Sequence, residues 1–245
     1  MAKRLRILAG PNGSGKTSIY MDLRDSFSWG IFVNADVIES SLRKNAELNF
    51  SEYGISKVDE GYFNGEYNKS ELAQKSACKI SNFIIIDGVL IVHDVELIDS
   101  YFSAFVASFI QYRLIELGFS FSLETVMSHP SKIDLMNFAK RNGYRLYLYY
   151  VSTQSPDINI QRVHSRVIEG GHNVNEGKIR KRYTNSLKQL LNAIRISDRA
   201  YLFDNSKPSY ELVAEYDASN SVLSVNTHVN WIDNVLTGNN QVTAI

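Results

Sequence analysis

Residues 4 to 18 read RLRILAGPNGSGKTS, and this stretch decides the fold class. The first six residues form a short apolar-rich run that is typical of a buried strand, and the IYMDLRDSF that follows the loop predicts a helix. Residues 10 to 17 fit the pattern G-x-x-x-x-G-K-[ST] without exception. A strand, a glycine loop and a helix in this order are typical of a loop that wraps backbone N–H groups around phosphate.

The loop predicts a nucleotide site, because its glycines let the backbone turn inward around the phosphates. Lys16 is expected to reach the β and γ phosphates of ATP, and Thr17 is expected to hold Mg²⁺. The alternative, a glycine-rich turn without a ligand, is the weaker interpretation in this strand-to-helix context. The predicted nucleotide-binding residues are Gly10, Pro11, Asn12, Gly13, Ser14, Gly15, Lys16, Thr17 and Ser18.

The rest of the chain alternates strand and helix patterns, with one interruption. The alternation predicts an α/β fold of the P-loop nucleoside triphosphate hydrolase type, with a mostly parallel sheet flanked by helices. Residues 46 to 117 depart from it, with a hairpin pattern and a long helix among Gly, Asn, Ser and Tyr. We therefore expect a single domain, residues 1 to 245, with an insertion at about 46 to 117. Beyond residue 206 the patterns weakly indicate two strands and a short helix.

The composition limits the kinds of binding partner that are expected. The 26 basic and 26 acidic residues give a formal charge of zero, so the long-range field that attracts nucleic acid is missing. Only one cysteine is present, and the basic amino terminus is followed by too short an apolar run for a signal peptide. We expect a cytoplasmic protein that binds neither nucleic acid nor a membrane.

Two carboxylates stand at the ends of predicted strands. Asp36 ends IFVNAD and Glu124 nearly ends FSFSLET, so both are expected to open into the crevice that holds the phosphate loop. Such a pair suits phosphoryl transfer, since one carboxylate accepts the proton of a hydroxyl and the other organises Mg²⁺. The alternative for each position is a helix cap.

A third aspartate, Asp87, lies in IIIDGVLIV. The apolar runs on both sides of Asp-Gly match a two-residue type I′ hairpin, whereas a strand that leads to a catalytic site should be followed by a loop and a helix. We therefore predict that Asp87 is a turn residue rather than a catalytic one.

Basic residues supply the remaining candidates. Arg162 and Arg166 are four residues apart, so a helix would place both on one face, where they could clamp phosphate oxygens or simply face solvent. Arg182 belongs to a second basic cluster, next to the glycine-rich loop GGHNVNEG that could close on ATP as a lid. The role of His172 in that loop stays open.

Several motifs together resemble the zeta-toxin family of P-loop kinases, over roughly residues 5 to 45 and 118 to 206. The motifs are GPNGSGKT, NAD, FSLETVMSHPSK, NGYRLYLYYVS, NIQRVHSRVIEGGHNV, IRKRY and FDNS. The resemblance implies a kinase that uses ATP and Mg²⁺. Characterised toxins of this family phosphorylate the 3′-hydroxyl of the sugar in UDP-N-acetylglucosamine, so it also implies a nucleotide-sugar acceptor. An antitoxin protein is a candidate partner.

The resemblance also implies residue roles. Lys16 would be the phosphate-binding lysine, Asp36 the base that takes the hydroxyl proton, and Glu124 part of the substrate and metal region. Arg162 or Arg166, with a basic group near the lid such as Arg182, would neutralise the transferred phosphate. Two departures stand out: an insertion separates the base from Glu124, and the lid carries GGHNV where an arginine is expected.

Two other functions compete with the kinase. A nucleotide-dependent switch, an ATPase or GTPase, would recruit a partner through the insertion, although no guanine-specifying N-K-x-D motif is evident. A kinase of nucleic-acid ends is disfavoured by the neutral charge.

Overall fold

The structure is a computed structural model that describes residues 2–170 and 174–237. Two compact units divide the chain: the first joins the residues up to Trp29 to those from Ser122 onwards, and the second is Gly30–Phe121. The predicted insertion, residues 46 to 117, lies wholly within the second unit. In the described ranges, no helix is both long enough and apolar enough to span a membrane.

The elements follow one another in an alternating order that is interrupted in the second unit. The strands are β1 (Arg4–Ala9), β2 (Ile31–Val33), β3 (Glu47–Asn49), β4 (Phe83–Ile86), β5 (Val89–Val92), β6 (Phe121–Thr125), β7 (Arg145–Ser152), β8 (Arg199–Asp204), β9 (Glu211–Asp217) and β10 (Val222–Val225). The helices are α1 (Lys16–Leu23), α2 (Ala35–Asn45), α3 (Glu60–Lys69), α4 (Glu71–Lys75), α5 (Ser100–Leu117), α6 (Ser131–Arg141), α7 (Pro156–Ile168), α8 (Glu176–Ile196) and α9 (Asn230–Thr237).

The first unit is built on a mostly parallel sheet in which the strands follow the order β10-β9-β8-β7-β1-β6. Strands β1, β7 and β8 run parallel, whereas β9 and β10 continue the sheet antiparallel. The register pairs Ala9 with Tyr150 and Ser152 with Asp204, so the carboxyl ends of the parallel strands meet at one edge. Helices α6 to α9 pack around this sheet, which confirms the predicted fold class.

The core of the first unit explains why the phosphate loop is held firmly. Apolar residues of β1, β7 and β8 pack with Ile19 of α1 and with Trp29, so the strand before the loop and the helix after it share one cluster. Packing of this kind fixes both ends of the loop, because close-packed side chains resist displacement. The buried members are Leu8, Ile19, Trp29, Tyr149, Val151 and Phe203.

The second unit combines helices with a small antiparallel sheet, in the order β3-β5-β4. Its hairpin turns at Asp87 and Gly88, which have φ angles of 50° and 77°, and Ile86 pairs with Val89. Two consecutive positive φ angles characterise a type I′ turn, so the prediction that Asp87 is a turn residue is confirmed. Buried aromatic rings form the interior: Phe50, Phe63, Tyr67, Phe83, Phe102, Phe105 and Phe109.

Three predictions about local structure need correction or completion. The strand IFVNAD is shorter than predicted: it ends at Val33, because the Asn34 side chain accepts the N–H groups of Asp36 and Val37 and starts α2 there. The weakly periodic segment after residue 46 contains α3 and α4, which were not predicted. Beyond residue 206 the two strands and the short helix are confirmed, and residues 238–245 lie outside the described part.

Candidate active site

The phosphate loop joins β1 to α1 and depends on its glycines. Gly10, Gly13 and Gly15 have φ angles of 142°, 75° and 94°, which residues with a side chain rarely adopt. A Cβ atom would also lie 2.0 Å from the Val151 carbonyl oxygen at Gly10 and 2.4 Å from that of Asn159 at Gly13. The backbone of this loop is therefore possible only with glycine at these positions.

Two asparagines from distant parts of the sequence hold the loop from outside. Asn159 donates its side-chain amide to the Asn12 carbonyl at 2.6 Å, and Asn205 donates to the Ser14 carbonyl at 2.8 Å. Both side chains are at least nine-tenths buried. Sequence reasoning missed their roles, although each lies in a quoted motif, Asn159 in NIQRVHSR and Asn205 in FDNS.

The loop presents polar groups that have no partner in the described residues. The backbone N–H groups of Gly13, Gly15 and Thr17 make no hydrogen bond there, and the fully buried hydroxyl of Ser14 has none either. A buried hydroxyl without a partner is costly, and an anion bound at the helix start would satisfy both it and the backbone N–H groups. The geometry therefore fits the phosphates of a nucleotide.

Lys16 lies across the loop beside Glu124. Its amine donates to the carbonyl oxygens of Gly10 and Pro11 at 2.9 and 3.1 Å, and lies 3.7 Å from the Glu124 carboxylate. Strand β6 brings Glu124 there because Thr125, the next residue, accepts the Gly10 N–H at 3.2 Å. The structure thus places the Glu124 carboxylate beside the phosphate loop.

The same residues fit a magnesium ion. Mg²⁺ is bound in nucleotide sites through one or two protein oxygens together with phosphates and water. The Thr17 hydroxyl is exposed at the start of α1, and the Glu124 carboxylate keeps 20% of its surface exposed. Among the residues that the structure describes, His, Cys, Asp and Glu form no group of three or more that could hold a metal by itself.

A cavity of about 620 Å³ lies next to the loop in the first unit. Arg162 is one of the residues that line it, and the Nη1 atom of this arginine is buried without a hydrogen-bond partner in the described chain. Burial raises the pKa of the Tyr210 hydroxyl, and the charge of the nearby Asp22 carboxylate raises it further. The lining residues are Gly15, Ser18, Asp22, Arg162, Asn205, Pro208, Ser209 and Tyr210.

The other predicted arginines have different surroundings. Arg182 donates to the Asn12 side chain at 3.1 Å, which places it on the phosphate loop. Arg166 is exposed and does not line the cavity, so α7 directs only Arg162 there. The predicted lid falls partly on residues 171–173, and His172 with them lies outside the described residues.

Asp36 belongs to the second unit, where it occupies the first turn of α2. Its side chain is exposed and makes no hydrogen bond or ion pair with any described residue. It lines a pocket of about 470 Å³ on the surface of α2. An exposed, unpaired carboxylate can accept a proton, which is the property that the predicted base requires.

Residues 92–213 match the protein-family model described as Zeta toxin. Part of the chain is therefore similar to zeta toxins. This region spans just under half of the 245 residues and contains Glu124, Arg162, Arg166 and Arg182, whereas the phosphate loop and Asp36 precede it. The predicted resemblance is confirmed at this level, and the specificity for UDP-N-acetylglucosamine stays a prediction.

Individual proteins match more distantly. An uncharacterised protein of Haemophilus influenzae (strain ATCC 51907 / DSM 11121 / KW20 / Rd) is 35% identical over 69 residues, which are 28% of this chain and 49% of that protein. The chain therefore spans about half the length of this relative. Crystal structures of AvrRxo1-ORF1 with AvrRxo1-ORF2, one with ATP and one with sulphate ions, are 17% identical with TM-scores of 0.52 and 0.50. Each of these two matches covers 92% of this chain and 61% of the other chain, and shows that the fold is shared.

Proposed function

We propose that the protein is an ATP-dependent kinase that transfers the γ-phosphoryl group to a hydroxyl of a small molecule. The phosphate loop carries the proposal: Gly13, Gly15 and Thr17 present unpaired N–H groups next to the Lys16 amine and the Glu124 carboxylate. These donors suit a transferring phosphoryl group, for which catalysis consists mostly of positioning and charge stabilisation. The zeta-toxin region supports the same reaction class.

Each residue at the loop has a role in this proposal. The loop and Lys16 bind the β and γ phosphates, and Arg182, held at Asn12, adds positive charge to them. Thr17 and Glu124 would hold Mg²⁺, which would neutralise part of the charge of the phosphates when it is bound. The cavity beside Gly15 and Ser18 is large enough for a nucleoside, and Arg162 meets ATP there.

Asp36 is the proposed base. It accepts the proton of the acceptor hydroxyl while the acceptor oxygen forms its bond to the γ-phosphorus and the bond to ADP breaks. The acceptor proposed from the family resemblance is a nucleotide sugar such as UDP-N-acetylglucosamine. A protein partner of antitoxin type is part of the proposal, supported by the zeta-toxin match and by the crystallisation of AvrRxo1-ORF1 with AvrRxo1-ORF2.

A nucleotide-dependent switch is the second candidate. The second unit exposes apolar side chains, with Tyr62 at 44% and Ile86 at 49%, as a partner-binding surface would. This candidate requires slow ATP hydrolysis without a phosphorylated acceptor.

Phosphorus NMR of the protein with Mg-ATP and a panel of hydroxyl acceptors, led by UDP-N-acetylglucosamine, separates the two functions. Loss of the base in Asp36→Asn should slow transfer about 10²- to 10⁴-fold with ATP binding nearly unchanged. Lys16→Ala should slow it about 10²- to 10³-fold, because a preorganised positive charge is lost.

Asp87→Asn is the matched control, since it makes the same chemical change in the same unit at a turn residue that asparagine also tolerates. It should keep full activity. ADP and free phosphate without any phosphomonoester, unchanged in Asp36→Asn, would reject the kinase in favour of the switch.

A further inference from the structure

Buried hydroxyl groups join α8 to the end of β7 and to α7. Tyr183 of α8 donates its hydroxyl to the Thr153 carbonyl at 2.6 Å, directly after β7 ends. The Thr153 hydroxyl in turn donates to the side-chain oxygen of Asn159, near the start of α7. Tyr183 is 8% exposed and the other two residues are fully buried, so water competes little for these hydrogen bonds.

The path of hydrogen bonds continues onto the phosphate loop and returns to α8. Asn159 donates to the Asn12 carbonyl at 2.6 Å, and the Asn12 side-chain oxygen accepts the Nη1 group of Arg182 at 3.1 Å. Arg182 directly precedes Tyr183, so the path begins and ends at neighbouring residues of one helix. A closed path of this kind holds each of its members from two sides.

The two helices that carry the path also pack against each other. Ile160 and Val163 of α7 form a buried apolar cluster with Ile179 of α8. This packing fixes the backbone of α8, whereas the long side chain of Arg182 keeps several rotatable bonds and needs hydrogen bonds of its own to be ordered. The bond to Asn12 is one of these.

The phosphate loop shows which part of a nucleotide the guanidinium would meet. The Lys16 amine, which is expected to reach the β and γ phosphates, lies against the carbonyl oxygens of Gly10 and Pro11. Asn12 is the next residue, so Arg182 is held at the same part of the loop as the lysine.

We infer that Asn12 and Tyr183 are positioning residues that hold the Arg182 guanidinium at the terminal phosphate of a nucleoside triphosphate. Asn12 orients the guanidinium directly, and Tyr183 acts through the hydrogen-bonded path. An arginine that is ordered in advance loses less entropy when it binds a phosphate. The inference rests on the proposed function, because it requires that the loop binds a nucleoside triphosphate.

A purely structural role for Tyr183 makes a different prediction. Loss of a buried hydroxyl that donates to a backbone carbonyl lowers the stability of a protein wherever the bond lies. The second unit contains such a bond, since the buried Tyr67 donates its hydroxyl to the Cys78 carbonyl. Tyr183→Phe and Tyr67→Phe therefore remove the same type of bond, but only the first of these bonds belongs to the path that ends at Arg182.

The test is calorimetric titration with Mg-ADP and with the Mg complex of adenylyl imidodiphosphate, a non-hydrolysable ATP analogue. The ratio of the two affinities measures the contribution of the terminal phosphate without any transfer. Arg182→Gln should lower the preference for the triphosphate about 10- to 100-fold, because charge-assisted hydrogen bonds are lost. Asn12→Ala, which keeps the carbonyl that Asn159 binds, should lower it about 3- to 10-fold and Tyr183→Phe about 3-fold, since the arginine is only loosened.

Tyr67→Phe is the matched control. Chemical denaturation should show similar losses of stability in Tyr67→Phe and Tyr183→Phe, whereas the affinity ratio should change only in Tyr183→Phe. Equal ratios in wild type, Tyr67→Phe and Tyr183→Phe would leave Tyr183 with a structural role alone and overturn its assignment.

Double variants show whether the two residues act through the arginine. In the Arg182→Gln background, Asn12→Ala and Tyr183→Phe should not change the ratio further, because the side chain that they hold is gone. Full additivity of the effects would overturn the inference.

Failure of the inference and failure of the proposed function can be distinguished. A triphosphate preference that depends on Asn12 and Tyr183, without any phosphomonoester in the NMR experiment, would support the inference and reject only the kinase. Transfer to an acceptor, with a ratio that Asn12→Ala and Tyr183→Phe leave unchanged, would reject only the positioning roles.

Discussion

The phosphate loop of the first unit and the surface of α2 in the second unit use polar groups in opposite ways. Around the loop, polar side chains are buried and bonded to the backbone, as Asn159 and Asn205 show. On α2, Asp36 and Lys44 are exposed and unpaired in the described structure. A site that binds an invariant triphosphate gains from a rigid frame, because preorganised donors lose little entropy on binding. A pocket made of exposed side chains can change its ligand without altering the fold.

The rigidity of the two units also has different sources. Glycines and backbone hydrogen bonds shape the loop, whereas contacts between aromatic rings fill the interior of the second unit. Phe63 is fully buried and its ring lies 4.8 Å from that of Phe109 and 5.2 Å from that of Phe105. Mutations that remove either the aromatic packing or a loop glycine therefore test this comparison directly.

The largest effect is expected for Phe63→Ala. Loss of this ring leaves a cavity among other rings and should destabilise the second unit by about 3 to 5 kcal/mol. Hydrogen exchange followed by mass spectrometry should show faster exchange in peptides of Gly30–Phe121, with peptides around Gly10 to Ser18 still protected. The control is Tyr101→Ala, which removes an exposed ring of the same unit. Equal acceleration in both units would remove the distinction between them.

A smaller effect is expected at the loop for Gly15→Ala. Gly15 has a positive φ, and its added Cβ would lie 2.0 Å from the Asn205 side-chain nitrogen that holds the Ser14 carbonyl. Gly143 also has a positive φ, of 79°, but a Cβ atom added there would meet no atom within 4 Å. Gly143→Ala should therefore lower the free energy of unfolding by only about 1 to 2 kcal/mol. Chemical denaturation and ATP titration measure both variants.

Gly15→Ala should lose more stability than Gly143→Ala and should also weaken ATP binding, which Gly143→Ala should not. Identical losses in both variants would show that backbone conformation alone matters and that Asn205 does not hold the loop.

The smallest effect concerns pH. Burial lowers the pKa of the Lys132 amine from 10.5 to about 8. The unfolded chain then binds more protons between about pH 8 and 10.5, so the stability of the folded protein should rise with pH in that interval. The gain should be absent in Lys132→Met and present in Lys44→Met, which removes an exposed lysine instead. Urea unfolding at pH 7, 9 and 10 measures it, and parallel profiles for wild type and Lys132→Met would contradict the assignment.

Much of the fold and part of the site could be predicted because short segments encode them. The glycine spacing of residues 10 to 17, the Asp-Gly turn at Asp87 and the apolar periodicity of α8 each depend on neighbouring residues. Backbone conformation of this kind is set by local sterics and hydrogen bonds. The prediction of a phosphate loop between a strand and a helix followed from such local information.

The placement of Asp36 was only partly predictable. The sequence pattern placed Asp36 at the end of a strand. The strand ends three residues before Asp36, because the Asn34 side chain caps α2. Caps and strands compete for the same few residues, and sequence patterns rarely locate the boundary between them. The helices α3 and α4 escaped detection for a related reason, since tertiary packing stabilises helices that have weak periodicity. In α3 this packing is through the rings of Phe63 and Tyr67, and α4 packs on α5.

By itself, the sequence determined that this chain has a P-loop α/β fold, where the phosphate loop lies and which lysine serves it. Only the tertiary structure decided that Arg162 rather than Arg166 lines the cavity, and that Asn159 and Asn205 hold the loop. Those asparagines are 147 and 191 residues away from the carbonyls they bind. Contacts over such separations arise when the strands assemble into a sheet, and no local pattern in the chain encodes them.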